Sequence, residues 1–306
     1  LAAMSVPSPY AELLAAVPVS EKQVTVLGSD THYWDYGHAD ADTTIVIAHG
    51  YRGEHHGLEP VIAQLAGLRL VSPDLPGFGE SPPLPGRTHT IDDYAEWLTA
   101  FIEALGLTGT AVVLGHSFGS IVTAHAVAAG LPTPKLILIN PISEPATSGP
   151  KAILTALTLL WYRAAMLLPE RVGHAWLSNP GIVRFMSQSM VKTRRPGLRA
   201  WIHDQHRQYF SRFSDRKTVV EGFNASISRD VSMVASKISV PTLLIAAEQD
   251  PITTVAAQER TVRLFPNATL VVLPAVGHLI HYEKPQDAAR AIVDFLGSGT
   301  VVGADG

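Results

Sequence analysis

The sequence predicts an α/β fold built on a mostly parallel sheet, and three observations carry that prediction. Short β-branched apolar runs alternate with helical patterns along the chain. The runs are continuously apolar and each ends on Gly, Pro or Asp, which is how strands buried on both faces of a parallel sheet read. Between about Pro141 and Ile238 the alternation stops, several helical stretches follow one another, and strands then return. That interruption predicts a helical insertion sitting over the strand ends as a cap. It divides the chain into a first core segment (1–141), a cap (142–237) and a second core segment (238–306).

Taken in order, QVTVLG and THYWDYG predict a leading hairpin. TTIVIAHG (Thr43 to Gly50), RLVSPD (Arg69 to Asp74), TAVVLGH (Thr110 to His116) and KLILIN (Lys135 to Asn140) follow as buried strands. The helix IDDYAEWLTAFIEALG places Tyr94, Leu98, Phe101, Ile102 and Leu105 on one stripe, with Gly106 as its stop. The most apolar segment, Ala152 to Leu168, is shorter than a bilayer span and carries Tyr162 and Arg163 near its middle, so it reads as a buried or lid-type helix. PTLLIAAEQD (Pro241 to Asp250) and ATLVVLP (Ala268 to Pro274) supply the last strands, and the terminal GSGTVVGADG is expected to fray.

Composition narrows the chemistry. A chain of 306 residues with 46% hydrophobic residues and a net charge of −4 has the balance of a globular protein and lacks the basic excess of a nucleic-acid binder. With no cysteine, a disulfide framework, a thiolate zinc site and a cysteine nucleophile are excluded by count. The N-terminal stretch has neither a basic region nor a long apolar core, so the expectation is a cytoplasmic protein without stable membrane insertion.

The motif with chemical content is Gly115-His116-Ser117-Phe118-Gly119. Alone, G-x-S-x-G is a weak signal, and a tight turn with an N-capping serine would read the same way. Here it follows the apolar run Ala111 to Leu114 and precedes a helical pattern, the strand-turn-helix setting of a nucleophile elbow. A serine hydroxyl needs a histidine base and an orienting acid. Downstream, Asp250 leaves a buried strand just before a Pro-led turn, and His278 follows the last strand. Glu248 is the rival acid, whereas Asn140, after the preceding strand, cannot take the charge of an imidazolium. Among the thirteen histidines, His281 reads as a surface or cap-contact residue, and His116 as a packing residue pointing away from the serine. Donors for an oxyanion are expected from the backbone N–H of Phe118 and, in the turn after an earlier strand, that of Tyr51.

Together, HGYRG (His49 to Gly53), DLPGFGES (Asp74 to Ser81), GHSFGS (Gly115 to Ser120), AAEQDPIT (Ala246 to Thr253) and GHLIHYEKP (Gly277 to Pro285) resemble the α/β-hydrolase superfamily with a helical cap. The resemblance spans the whole core and implies an eight-stranded, mostly parallel sheet, a Ser117-His278-Asp250 triad, no metal and no organic cofactor. A serine nucleophile argues against the superfamily's haloalkane dehalogenases and epoxide hydrolases, which carry an aspartate there. Leu279 stands where carbon-carbon bond hydrolases often have tryptophan. The expectation is therefore an esterase or lipase-like enzyme acting on a small, largely apolar carboxylic ester. The alternatives are a carbon-carbon hydrolase of a vinylogous ketone and a receptor-like homologue with little turnover.

Other features have plainer readings. His203 and His206 have a spacing that a helix's polar face also produces, so no metal is assigned to them. His55 and His56 read as a solvated loop or as pocket-lining residues. Lys192, Arg194, Arg195, Arg199, Arg207, Arg212, Arg216 and Lys217 read as a solvated cationic face, with an entrance for an anionic substrate or lipid headgroup as the alternative. The aromatics of the insertion are expected to be mostly core, with two or three facing the pocket.

Overall fold

The computed structural model describes residues 6–147 and 152–297. Eight strands form one sheet: β1 (Val19–Val26), β2 (Ser29–Tyr36), β3 (Thr44–Ala48), β4 (Arg69–Pro73), β5 (Val112–His116), β6 (Leu136–Ile139), β7 (Thr242–Ala247) and β8 (Ala268–Leu273). Their order is β1-β2-β4-β3-β5-β6-β7-β8. β2 pairs antiparallel with β1 and β4, and the remaining pairs are parallel. The leading hairpin is present, turning at Leu27 and Gly28, both at positive φ, as a two-residue hairpin loop requires.

The central strands are apolar throughout because both faces are covered. Val46 and Ala48 of β3 enter one core cluster while Ile45 and Ile47 enter another, and β6 divides likewise, Leu136 and Leu138 from Ile137 and Ile139. The short α1 (Ala11–Ala15) and α2 (Glu59–Ile62) precede α3 (Ile91–Ala104) and α4 (Phe118–Ala128), which pack together over the first cluster. Thr90 and Asp93 form a capping box at the start of α3, and Gly106 ends it at φ +68°. β8 departs from the expectation: it is an edge strand, paired on one side only, and its run is only partly buried on both faces.

Between β6 and β7 the described residues form helices and no named strand: α5 (Ala152–Leu167), α6 (Glu170–Leu177), α7 (Pro180–Met190), α8 (Pro196–Tyr209) and α9 (Arg216–Ser228). After β7 come α10 (Val255–Val262), α11 (Ile280–Glu283) and α12 (Pro285–Gly297), and α12 packs beneath the sheet with α2. α5 is a surface helix and not a buried one: Tyr162 and Ala165 face inward, whereas Leu160 is 64% and Leu167 88% exposed. No helix among the described residues is long and apolar enough to cross a membrane. The fraying expected after Gly297 falls on 298–306, outside the described residues.

The aromatics of this segment are less uniformly core than expected. Tyr162, Trp201 and Phe213 are buried, and Tyr209 and Phe210 line the cavity described below, but Trp176 and Phe185 are exposed. Nor do the cationic side chains make one face. Arg216 binds the Ala165 and Leu168 carbonyls and Glu170, Arg207 pairs with Asp204, and Lys217 with Glu221. Lys192, Arg194 and Arg195 border a separate polar cleft with Glu283 and Asp287.

Candidate active site

The candidate site lies where β3, β5 and β7 end, since parallel strands deliver all their following turns to one edge of the sheet. β5 runs into α4 at Ser117, whose φ of +52° and ψ of −117° no serine adopts without constraint. The constraint is close packing on both sides. A Cβ on Gly119 would fall 2.0 Å from the Ala48 carbonyl oxygen, and one on Gly115 would fall 2.4 Å from that of Gly119. The first turn of α4 therefore rests on the ends of β3 and β5, and the serine side chain is left facing outward. Gly119→Ala is expected to cost roughly 2–4 kcal/mol of stability, read as a lowered denaturation midpoint, because the backbone it would strike cannot rotate away.

Ser117 Oγ is 2.7 Å from His278 Nε2, and His278 Nδ1 is 2.8 Å from Asp250 Oδ2. The Asp250 carboxylate also accepts from the backbone N–H groups of Ile252 and Thr253 and from Asn140 Nδ2. Burial pushes the Asp250 pKa up, but the His278 charge and hydrogen bond, the Ile252 N–H and Asn140 outweigh it and hold it below the usual carboxylate value. Glu248 is exposed and accepts from the Ala275 N–H, away from His278. Asn140, considered from sequence only as an acid and rejected, belongs to the arrangement after all: at φ +46° it binds both Asp250 and the Gly277 carbonyl. Its position directly after β6 was the one signal the sequence carried, and its contact with Asp250 is tertiary.

Tyr51 and Phe118 both border the cavity beside Ser117. Gly50 lies so close that a Cβ there would be 3.4 Å from Ser117 Cβ. The turn is tied by His49, which takes the Leu75 N–H at Nε2 and donates from Nδ1 to the Gly50 carbonyl. Next in the turn, Arg52 is buried at φ +56° and donates to the carbonyls of Leu177 and Phe210, joining this loop to α6 and to the end of α8.

The cavity above Ser117 has a volume of about 350 Å³. Core residues form its floor, and Thr155, Thr158, Met186, Met190, Phe210 and Phe223 of the helical segment form much of its roof. Of the two positions expected for His281, surface or cap contact, the surface one does not hold: it is buried, lines this cavity, and its ring lies 4.2 Å from that of His116 with the planes tilted by 59°. His116 in turn borders the cavity instead of only packing behind the serine. Burial drives the His116 pKa down to about 3 and that of His281 well below its ordinary value, so both rings are neutral.

Two histidine pairs also differ from their sequence readings. His203 and His206 are buried, sharing the Ser187 hydroxyl at 2.6 and 2.7 Å, because α7 packs on that face of α8. His55 and His56 neither line the cavity nor form a solvated loop: His55 binds Asp74 and stacks on Trp34, and His56 binds Glu54 and stacks on Tyr209. Glu54, His55 and His56 bring ligand-type atoms within 4.8 Å of one another, yet both Nδ1 atoms are already engaged by carboxylates.

A family model described as the alpha/beta hydrolase family matches residues 45–291. Among curated proteins, the chain is 26% identical over 273 residues to the sn-1-specific diacylglycerol lipase ABHD11 of Mus musculus, covering 85% of this chain and 84% of that one. It is likewise 26% identical to a 2-hydroxy-6-oxononadienedioate/2-hydroxy-6-oxononatrienedioate hydrolase of Pseudomonas putida, covering 87% and 91%. A solved structure of a thermophilic esterase from Thermogutta terrifontis superposes with a TM-score of 0.70 at 22% identity, covering 91% and 98%.

Proposed function

Since the chain belongs to the alpha/beta hydrolase family, we propose that it is a serine hydrolase that cleaves carboxylic esters through an acyl-enzyme. The observation that carries this reading is the relay Ser117 Oγ, His278 Nε2, His278 Nδ1, Asp250 Oδ2, with links of 2.7 and 2.8 Å, at the floor of an apolar cavity. The helical segment between β6 and β7 is its cap.

In this mechanism Ser117 Oγ attacks the ester carbonyl carbon as its proton passes to His278 Nε2. The carbonyl oxygen becomes an oxyanion held by the backbone N–H groups of Tyr51 and Phe118. Asp250 fixes the Nδ1–H tautomer of His278 and stabilises the imidazolium. The C–O bond to the alcohol then breaks, and His278 returns its proton to the leaving oxygen. Water, deprotonated by the same Nε2, attacks the acyl carbon and releases the acid and free Ser117. No metal or organic cofactor is needed for any of these steps.

The test is hydrolysis of p-nitrophenyl esters from acetate to long acyl chains. Turnover is expected with short to medium chains, declining once the chain outgrows the cavity of about 350 Å³. Cleavage of a vinylogous diketone at rates well above any ester would instead establish the carbon-carbon hydrolase reading, to which the Pseudomonas relative's name points. A single-turnover burst with no steady state on any substrate would favour a receptor.

A further inference from the structure

We propose that the outer face of the helices above the cavity docks on a lipid surface carrying anionic headgroups, with the apolar side chains of α5 and α6 entering the headgroup layer and the arginines among them meeting the lipid phosphates. The proposal concerns a surface and its partner, and it holds whichever bond Ser117 cleaves.

α5 is turned inside out relative to an ordinary surface helix. Ile153, Leu157, Leu160 and Leu167 follow one another at intervals of four, three and seven residues, which a period of 3.6 places on one stripe. That stripe faces solvent: Ile153 is 75% and Leu157 59% exposed, in line with Leu160 and Leu167. The opposite side carries the buried Tyr162 and Ala165, together with Thr155 and Thr158, which line the cavity. Four large aliphatic side chains therefore point away from the core, the reverse of what burial alone selects.

The apolar surface continues onto the next helix. The rings of Trp161 and Trp176 lie 6.5 Å apart, and Trp176 and Val172, one turn apart on α6, are both exposed. α7 repeats the arrangement of α5: Ile182 and Phe185 are exposed, Phe185 by 72%, while Met186 and Met190 line the cavity. Single apolar residues on a surface are ordinary, but a run of them across neighbouring helices marks an interaction surface.

Charge decides the partner. Of Asp, Glu, Lys and Arg, residues 152–190 carry Arg163, Arg171, Arg184 and Glu170. The three arginines are exposed and have no ion-pair partner among the described residues, whereas Glu170 is engaged by Arg216. This is a local positive excess in a chain whose net charge is −4. A second copy of the chain would bring the same unpaired arginines to the other side of a shared interface, where like charges repel. An anionic lipid surface suits both features, offering an apolar boundary to the aliphatic stripe and Trp176 and phosphates to the guanidinium groups.

The experiment is co-sedimentation of the full chain with phosphatidylcholine vesicles, plain or containing about 30% phosphatidylglycerol, at low and high salt. Affinity for the anionic vesicles is expected to exceed that for the neutral ones about tenfold or more, and to weaken at high salt. Leu160→Asp combined with Leu167→Asp should abolish binding, since it sets two carboxylates in the apolar stripe. Both side chains are exposed and lie outside the cavity, so the melting temperature and the hydrolysis of soluble p-nitrophenyl butyrate should stay close to wild type. Arg163→Gln with Arg171→Gln should lower affinity for the anionic vesicles about fivefold per arginine and leave the neutral ones unchanged. Failure of the wild type to bind either vesicle, or binding that survives the paired aspartates, would overturn the proposal. A wild-type dimer in light scattering that the paired aspartates convert to monomer would also overturn it, assigning the face to a second copy. A wild type that sediments with the vesicles but leaves the butyrate uncleaved would remove the esterase reading and leave the docking surface standing.

Discussion

Replacing Ser117 with alanine is expected to lower ester turnover by about 10⁴- to 10⁶-fold while leaving the protein folded. The size follows from the unit character of the relay. Without Oγ there is no atom to form the proposed acyl-enzyme, and what remains is substrate binding and the proposed oxyanion donors, the N–H groups of Tyr51 and Phe118. The fold should survive because the Ser117 backbone keeps its bond to the Ile139 carbonyl, and the strained turn is held by the packing of Gly115 and Gly119. Side-by-side steady-state rates and thermal melts check this. A variant that retains more than a few per cent of wild-type activity would mean that another residue is the nucleophile.

The second large effect is expected at Asp250. Asp250→Asn should reduce kcat about 10³- to 10⁴-fold, with a much smaller change in KM. The carboxylate accepts from Asn140, Ile252, Thr253 and His278, all of them donors. An asparagine would have to turn its amide N–H₂ toward one of these donors and would bring no charge to balance the imidazolium. Glu248→Gln is the control: its carboxylate faces the Ala275 N–H at the surface, so its rate should stay within about twofold of wild type. If Glu248→Gln loses the rate and Asp250→Asn does not, the acid has been misassigned.

The sequence was most informative where function imposes a local backbone demand. Glycines flanking a serine after an apolar run mark a position where chain segments approach too closely for a Cβ, and the 2.0 Å approach at Gly119 is that demand in numbers. The order of strands and the burial of both faces were also readable, because a two-sided strand leaves a continuous apolar run. β8 shows the limit of that rule: its run looks like its neighbours', yet it lies at the sheet edge, and edge position is a property of the assembled sheet.

Histidines were where sequence reading failed most, for a physical reason. An imidazole is equally at home on a solvated face, in a cavity wall or in a buried polar pair, and which one holds depends on what packs against it. His281 is three residues past His278, and nothing in that spacing says that α11 turns it into the cavity beside His116. His203 and His206 look like a polar helix face until α7 brings Ser187 between them.

The sequence by itself thus determined the α/β class, the family, and the residues that the relay brings together, since these rest on apolar periodicity and on short motifs whose backbone geometry is local. Only the tertiary structure decided that Asn140 braces Asp250, that Arg52 ties the turn after β3 to the helices above it, and that His116 and His281 border the cavity. Those are contacts between segments distant in the chain, and they exist only after the helices between β6 and β7 have closed over the sheet.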